Sequence, residues 1–406
     1  MRLARRRLTA VLTSILGLVA LTVGAAPAGA ADFYDPPSPL PPGDDGAIIR
    51  HEPARFFLDP VRLVPAPARV QRIMYRSTDT HGEPVAVTGT VLTPHTPWSG
   101  PGERPVIGYA PGTQGLGDQC APSKAMAMGT EYEGPFLAGL LTRGYGVVVT
   151  DYEGLGTPGV HTYVNRRAQA HALLDGVRAA QRLPEADLPD AGPVALAGYS
   201  QGGGASAAAA ELQPAYAPEL DLVGAYAGAP PADLAAVAAA LDGQYAVGFL
   251  MFAVASMNYA YPELDIPAVL NDKGTRVREQ VERECTADAL LHHAFTRTAD
   301  LTRDGRPITA YLDAEPFAPV VEEQRIGTTA PGVPVLVTHS ATDDIVPYAQ
   351  GRAMARAWCA DGGTVRFRTL LTPTHVGGYV ASMPLAFAWL EGRLHGRPAP
   401  DNCGAF

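Results

Sequence analysis

The run Gly198-Tyr199-Ser200-Gln201-Gly202 constrains this chain more than any other segment. It follows a short apolar stretch, Val194 to Ala197, and opens an alanine-rich helical run from about Gly202. A serine at such a junction sits on a tight strand-to-helix turn, so the residues two before and two after it must be nearly free of side chain. Gly198, Gly202 and Gly203 meet that demand. An ordinary glycine turn is the plainer reading, and the strand and helix on either side argue against it.

The same alternation runs through the rest of the chain. Val85 to Leu92 and Pro105 to Ala110 read as strands, the second followed by a Gly-rich loop through Gly117. Gly146 to Thr150 reads as a buried strand ending at Asp151, and a helical pattern covers about Gln169 to Arg182. Val223 to Gly228, Pro334 to Thr338 and Thr364 to Leu370 supply further strands, with a helix over about Tyr348 to Trp358 between the last two. Strands alternating with helices imply an α/β fold with a mostly parallel sheet and helices on both faces. Residues 230–330 break the rhythm with helix-like, apolar and charged segments and no clear strand. About 100 residues is far beyond a normal connection, so this stretch reads as a helical cap inserted over one end of the sheet. The core is then 47–229 together with 331–406, preceded by a proline-rich segment, 31–46, that wraps the surface without regular structure.

Residues 1–30 read as a signal peptide: Arg2, Arg5, Arg6 and Arg7, an uncharged stretch from Leu8 to about Val23, and Ala28-Gly29-Ala30 before the cleavage point. The expected location is extracellular. With 47% hydrophobic and 18% charged residues the mature chain is globular rather than disordered, and no membrane span is expected in it. The net charge is −10, and loss of the four leader arginines makes it −14, with no basic stripe or cluster left along the chain. Nucleic acid is therefore not an expected partner. In an oxidising compartment Cys120, Cys285, Cys359 and Cys403 form two disulfides. Three pairings are open; Cys120 with Cys285 and Cys359 with Cys403 is favoured, the second because its partners lie near each other at the C-terminal end. No C-x-x-C spacing is present, and His292 and His293 would point about 100° apart on a helix, so neither suggests a metal site.

A serine hydroxyl is a weak nucleophile and needs a base to take its proton. On strand-turn-helix scaffolds of this kind the order is Ser, Asp or Glu, His. Asp343 and Asp344 follow the Pro334 to Thr338 strand, and His375 follows the Thr364 to Leu370 strand on what reads as a flexible loop. Asp343 is the expected partner of His375, since two residues separate it from Val346-Pro347, the spacing seen in related hydrolases. Asp344 would then sit at the start of the following helix. His339 is the rival base, read as a packed histidine. The oxyanion needs two backbone N–H donors, assigned to Gln201 and to Thr113, with Gly112 as the competing neighbour of Thr113. Asp151 to Gly156 reads as a turn shaping the pocket rim. Phe249 to Phe252 in the cap either line an acyl pocket or pack the cap core.

Taken in order, Tyr109-Ala110-Pro111-Gly112-Thr113, Cys120-Ala121-Pro122-Ser123, Asp151-Tyr152-Glu153-Gly154-Leu155-Gly156, Gly198 to Gly203, Asp343 to Pro347 and Thr374-His375 resemble the secretory triacylglycerol lipases of fungi and actinobacteria, over about Asp32 to Cys403. The resemblance implies an α/β-hydrolase fold with a helical cap, ester hydrolysis through Ser200, Asp343 and His375 without a cofactor, a lipid or other ester substrate with transient contact at a lipid interface, and the disulfide pairing favoured above. One departure stands out: the fungal type-A members carry a C-terminal flap over the active-site entrance, whereas only Val376 to Phe406 follow His375 here. A carboxylesterase for soluble or short-chain esters is the alternative. A peptidase would need a site for a peptide amine that the chain does not display, and a catalytically silent binding module would show a gap in the triad.

Overall fold

In the computed structural model, which describes residues 32–406, nine strands form one sheet. They are β1 (Ile48–Pro53), β2 (Ala68–Thr78), β3 (Pro84–Pro94), β4 (Val106–Ala110), β5 (Gly146–Thr150), β6 (Val194–Tyr199), β7 (Leu222–Gly228), β8 (Val335–Ser340) and β9 (Val365–Leu370). Their spatial order is β1-β2-β3-β5-β4-β6-β7-β8-β9. The first three pair antiparallel with one another and with β5; from β5 to β9 every pairing is parallel. The expected signal peptide lies outside the described residues. No helix among the described residues is long and apolar enough to cross a membrane.

β4, β5 and β6 are buried at every position, as strands with helices on both faces must be. Alternate side chains enter two cores. On one face α3 (Arg166–Arg182), α4 (Gln201–Tyr216) and α11 (Tyr348–Ala360) pack on residues such as Val148, Leu196 and Val337. On the other, α2 (Gly134–Thr142) and α12 (His375–Leu394) pack on Ile107, Val149 and Leu336, while α1 (Pro122–Met128) contributes Met126. The alanine run of α4 has a steric cause: a Cβ at Gly202 would lie 1.9 Å from the Ala110 carbonyl oxygen, so only small side chains let this helix ride against the sheet.

Between β7 and β8 come α5 (Leu234–Leu241), α6 (Val247–Ala260), α7 (Ile266–Val269), α8 (Asp272–Val281), α9 (Thr286–His293) and α10 (Phe317–Glu323), with a separate apolar core built around Phe252, Met251 and Leu301. Cys120 bonds Cys285 and Cys359 bonds Cys403. The first bridge ties the segment before α1 to the residue that caps α9; the second ties α11 to the C-terminal tail. That tail runs along β9, where Asn402 N–H donates to the Val365 carbonyl and Phe406 stacks on Phe367.

Several sequence expectations change. β1 and β2 were not anticipated, and they extend the sheet by two antiparallel strands. His375 is not on a loop: it is the first residue of the 20-residue α12, whose N-cap Thr374 accepts from Gly377 N–H at 3.1 Å. Asp344 is not at the start of α11, which begins at Tyr348. The Asp151 turn is no rim. Asp151 is fully buried and accepts hydrogen bonds from Thr88, from Ser123 Oγ and from Ser123 N–H.

Candidate active site

The parallel strands end together, and the candidate residues lie just beyond those ends, where open α/β sheets form their clefts. Ser200 follows β6 with φ of 59°, a left-handed conformation that costs a non-glycine residue strain and turns the chain sharply into α4. The turn closes because nothing projects around it: a Cβ at Gly198 would meet the Gly202 carbonyl oxygen at 2.2 Å, and one at Gly203 would meet that of Gly228 at 2.0 Å. Ser200 N–H donates to the Gly228 carbonyl at 2.8 Å, fixing the turn to β7.

Asp343 and Asp344, both beyond β8, divide between the side chain and the backbone of His375. Asp343 Oδ2 lies 2.8 Å from His375 Nδ1. Its Oδ1 accepts from the N–H groups of Ile345 and Val346. Burial pushes the Asp343 carboxyl up, but the hydrogen bond and charge of His375 and those two N–H groups outweigh it and hold it below its ordinary value. Asp344 Oδ1 accepts from His375 N–H at 2.8 Å, so it caps the first turn of α12, and its Oδ2 accepts from Tyr245 of the cap. The His375 carbonyl accepts from Tyr199 OH at 2.8 Å. These contacts fix the ring from both ends, and its Nε2 is left buried with no partner among the described residues. His339 is buried within β8, its Nε2 donating to the Val346 carbonyl, a packed position behind Asp343.

The loop after β4 is held from several sides. Gly112 N–H donates to Glu133 Oε2 at 2.8 Å, so it is already occupied. The Thr113 N–H has no acceptor among the described residues. The Pro111 carbonyl accepts from Tyr152 OH, and that of Thr113 from Thr286 Oγ1 at 2.7 Å. Gln201, at the first position of α4, has no intrahelical acceptor for its N–H. Its side chain reaches His161 Nε2 at 2.9 Å, while His161 Nδ1 donates to the Glu153 carbonyl. Burial holds His161 down, from the ordinary 6.5 to about 4, so the ring is neutral and its Nε2 accepts from the Gln201 amide.

Glu133, Glu131 and His161 were not found from the sequence. Glu131 and Glu133 form a buried carboxyl pair under the loop; burial and, for Glu133, the neighbouring Glu131 raise both above the carboxylate range. A Glu-Tyr-Glu run gives no hint of this, because its partner Gly112 is 21 residues away. His292 and His293 both hold Glu284, at 2.7 and 2.8 Å, in the cap.

Ser200 and Gln201 open into a cleft lined by Phe249, Ile345 and cap residues. Leu234, Ala238, Leu250 and Ala253 line both this cleft and a larger apolar cavity deeper in the cap, walled further by Met257, Ile308 and Phe317. All four residues of the 249–252 run pack the cap core, and Phe249 and Leu250 line the cleft as well.

A serine on a tight strand-to-helix turn at the end of a central strand, in a mostly parallel sheet with six helices inserted between β7 and β8, belongs to an α/β-hydrolase fold. Residues 120–402 match the secretory lipase family, and the chain belongs to that family and is a carboxylic ester hydrolase. It is 30% identical to a probable inactive lipase of Mycobacterium tuberculosis, over 91% of this chain and 83% of that protein. It is 29% identical to lipase 4 of Candida albicans, over 91% and 82% of the two chains. Among solved structures, the closed state of Candida antarctica lipase A superposes with a TM-score of 0.82 at 26% identity, covering 93% of this chain and 88% of that one. The rice cell wall degrading esterase LipA of Xanthomonas oryzae shares the fold, with a TM-score of 0.73 at 20% identity over 88% and 100%.

Proposed function

We propose that the protein is an exported triacylglycerol lipase that works through Ser200, His375 and Asp343 by way of an acyl-enzyme. The observation that carries the lipid reading is the apolar cavity in the cap, which shares four of its walls with the Ser200 cleft. A long acyl chain entering at Ser200 can bury its methylenes there, at about 0.8 kcal/mol each.

In the proposed mechanism His375 Nε2 takes the Ser200 proton as the hydroxyl attacks the ester carbonyl. Asp343 holds Nδ1–H and stabilises the imidazolium. The N–H groups of Thr113 and Gln201 receive the oxyanion; the capture of Gly112 N–H by Glu133 favours Thr113 over its neighbour. His375 then protonates the leaving alcohol, and water repeats the sequence on the acyl-enzyme. The working parts are a core of 47–229 and 331–406 and a cap of 230–330. Two disulfides and the leader at 1–30 support export to an oxidising compartment.

A carboxylesterase for soluble esters is the second reading. It is favoured by the course of the C-terminal tail, which is pinned along β9 by Asn402 and the Cys359–Cys403 bridge. Hydrolysis of emulsified long-chain triacylglycerol beside soluble esters of rising acyl length separates the two. Lipase activity requires the emulsion to be cleaved; cleavage of short soluble esters alone selects the esterase. Activity that survives Ser200→Ala overturns the mechanism in both.

A further inference from the structure

No basic cluster is visible along the chain, but folding assembles one. Arg366 and Arg368 on β9, the outermost strand, and Arg393 and Arg397 at the end of α12 all line one solvent-open trough of about 410 Å³. Residues two apart on a strand point to the same face, which brings the first pair to the side where α12 packs. Leu385, Ala388 and Trp389 supply apolar wall, and no acidic residue lines the trough.

The charges here are poorly compensated. The side chains of Arg366 and Arg368 make no hydrogen bond or ion pair among the described residues. Arg397 reaches only the half-buried Glu391, at 3.5 Å. Arg393 is 7% exposed; one of its nitrogens donates to the Pro398 carbonyl, its guanidinium lies 4.9 Å from the Trp389 ring centroid, and its buried Nε has no acceptor. A buried cation with no counter-charge is strongly unfavourable until an anion completes it. Charge on an outer strand guards a sheet edge, and a helix C-terminus favours a cation. Those two effects account for Arg368 and for the placement of Arg393, but not for an acceptor-free buried Nε beside an apolar wall.

We propose that this trough binds a carboxylate bearing an apolar tail, its head held by Arg366, Arg368 and Arg393 and its tail lying along Leu385, Ala388 and Trp389. A bare anion would leave the apolar wall wet, and an uncharged lipid would leave the guanidiniums without a partner. Hydrolysis of a long-chain ester releases this class of molecule, and in that source the inference rests on the lipase reading. The site is separate from the acyl cavity: 18 residues of α12 put Arg393 roughly 27 Å along the helix from His375.

The test is calorimetric titration of decanoate, decanol and acetate into the protein after its catalytic cleft has been filled by a long-chain alkyl phosphonate, with intact mass reporting whether the block formed. A failed block counts against the lipase mechanism; the trough is decided independently by Arg366→Ala/Arg368→Ala, two changes at partly exposed positions. Decanoate is expected to bind at least ten-fold more tightly than decanol or acetate. The double variant should lose at least ten-fold in decanoate affinity, the lysine pair should recover part of it, and hydrolysis of a short ester should be unchanged in both. Equal decanoate affinity in the double variant, or decanol or acetate binding as tightly as decanoate, overturns the proposal.

Discussion

His375 is gripped by two adjacent carboxylates with different tasks, and this is where single substitutions discriminate most sharply. Asp343 meets the ring and Asp344 meets the backbone N–H. Asp343→Asn should therefore lower kcat by about 10⁴-fold, by analogy with loss of the acid in other triads, because the ring is then held in the wrong tautomer. Asp344→Asn keeps an oxygen for the N–H and should cost less than about ten-fold, the range of a single neutral hydrogen bond. Steady-state kinetics on a soluble ester measures both. A second residue-scale expectation concerns His161. In the unfolded chain it gains its proton near 6.5, whereas in the fold it stays neutral down to about 4. As pH falls through that window the unfolded state binds the proton first, so stability drops, by on the order of 3 kcal/mol at the acid end. Denaturant melts of the wild type and His161→Gln across pH 4 to 7 should show a shallower slope in the variant. That Ser200, Asp343 and His375 stand just beyond the ends of β6, β8 and β9 could be read from the sequence, because each follows an apolar run within a few residues. His161 could not, since only the folded chain brings it to Gln201, 40 residues on.

Among the elements, the loop after β4 depends on its neighbours. Glu133, Tyr152 and Thr286 hold three successive residues of it, from the residue before α2, from the turn after β5 and from the cap. Glu133→Ala frees Gly112 N–H and loosens the loop, and should lower kcat about 10- to 100-fold with little change in KM, part of the 3–4 kcal/mol that a whole oxyanion donor supplies. Glu133→Gln keeps the acceptor and should stay close to wild type. Equal losses in the two would mean that the carboxyl acts through its charge instead. In the cap, Leu250→Trp fills the passage shared by the cleft and the deeper cavity. It should reduce activity on long acyl chains by at least ten-fold relative to short ones, a ratio read from kcat/KM across acyl lengths. The start of α12 escaped the sequence reading because Thr372-Pro373-Thr374 looks like loop. The left-handed φ of 65° at Thr374 and the Asp344 cap are what begin the helix there. β1 and β2 escaped for a related reason: their arginines, with His51, Glu52 and Gln71, break the apolar alternation that marks a strand, and cross-strand pairing supplies the order instead.

Across the whole molecule, the parallel sheet and the helical stretch between β7 and β8 were legible because they rest on counts: apolar runs spaced by helical lengths, then 100 or so residues with no strand. Which residues of distant segments meet was not. The Cys120–Cys285 bridge closes a 165-residue separation and joins the segment before α1 to the start of α9. Replacing both cysteines with serine should lower stability by roughly 3–5 kcal/mol in a denaturant titration, the range for long loops, with the cap-dependent activity on long esters lost before that on short ones. In the proposed reaction Ser200, activated by His375, carries the acyl group. This role is tested most directly by treating the protein with an alkyl p-nitrophenyl phosphonate and mapping the adduct by mass spectrometry. The expected result is one phosphonyl group per chain, on the peptide containing Ser200, with activity falling in step and no labelling of Ser200→Ala or His375→Ala. Labelling at another residue, or full activity in protein stoichiometrically modified at Ser200, would contradict it.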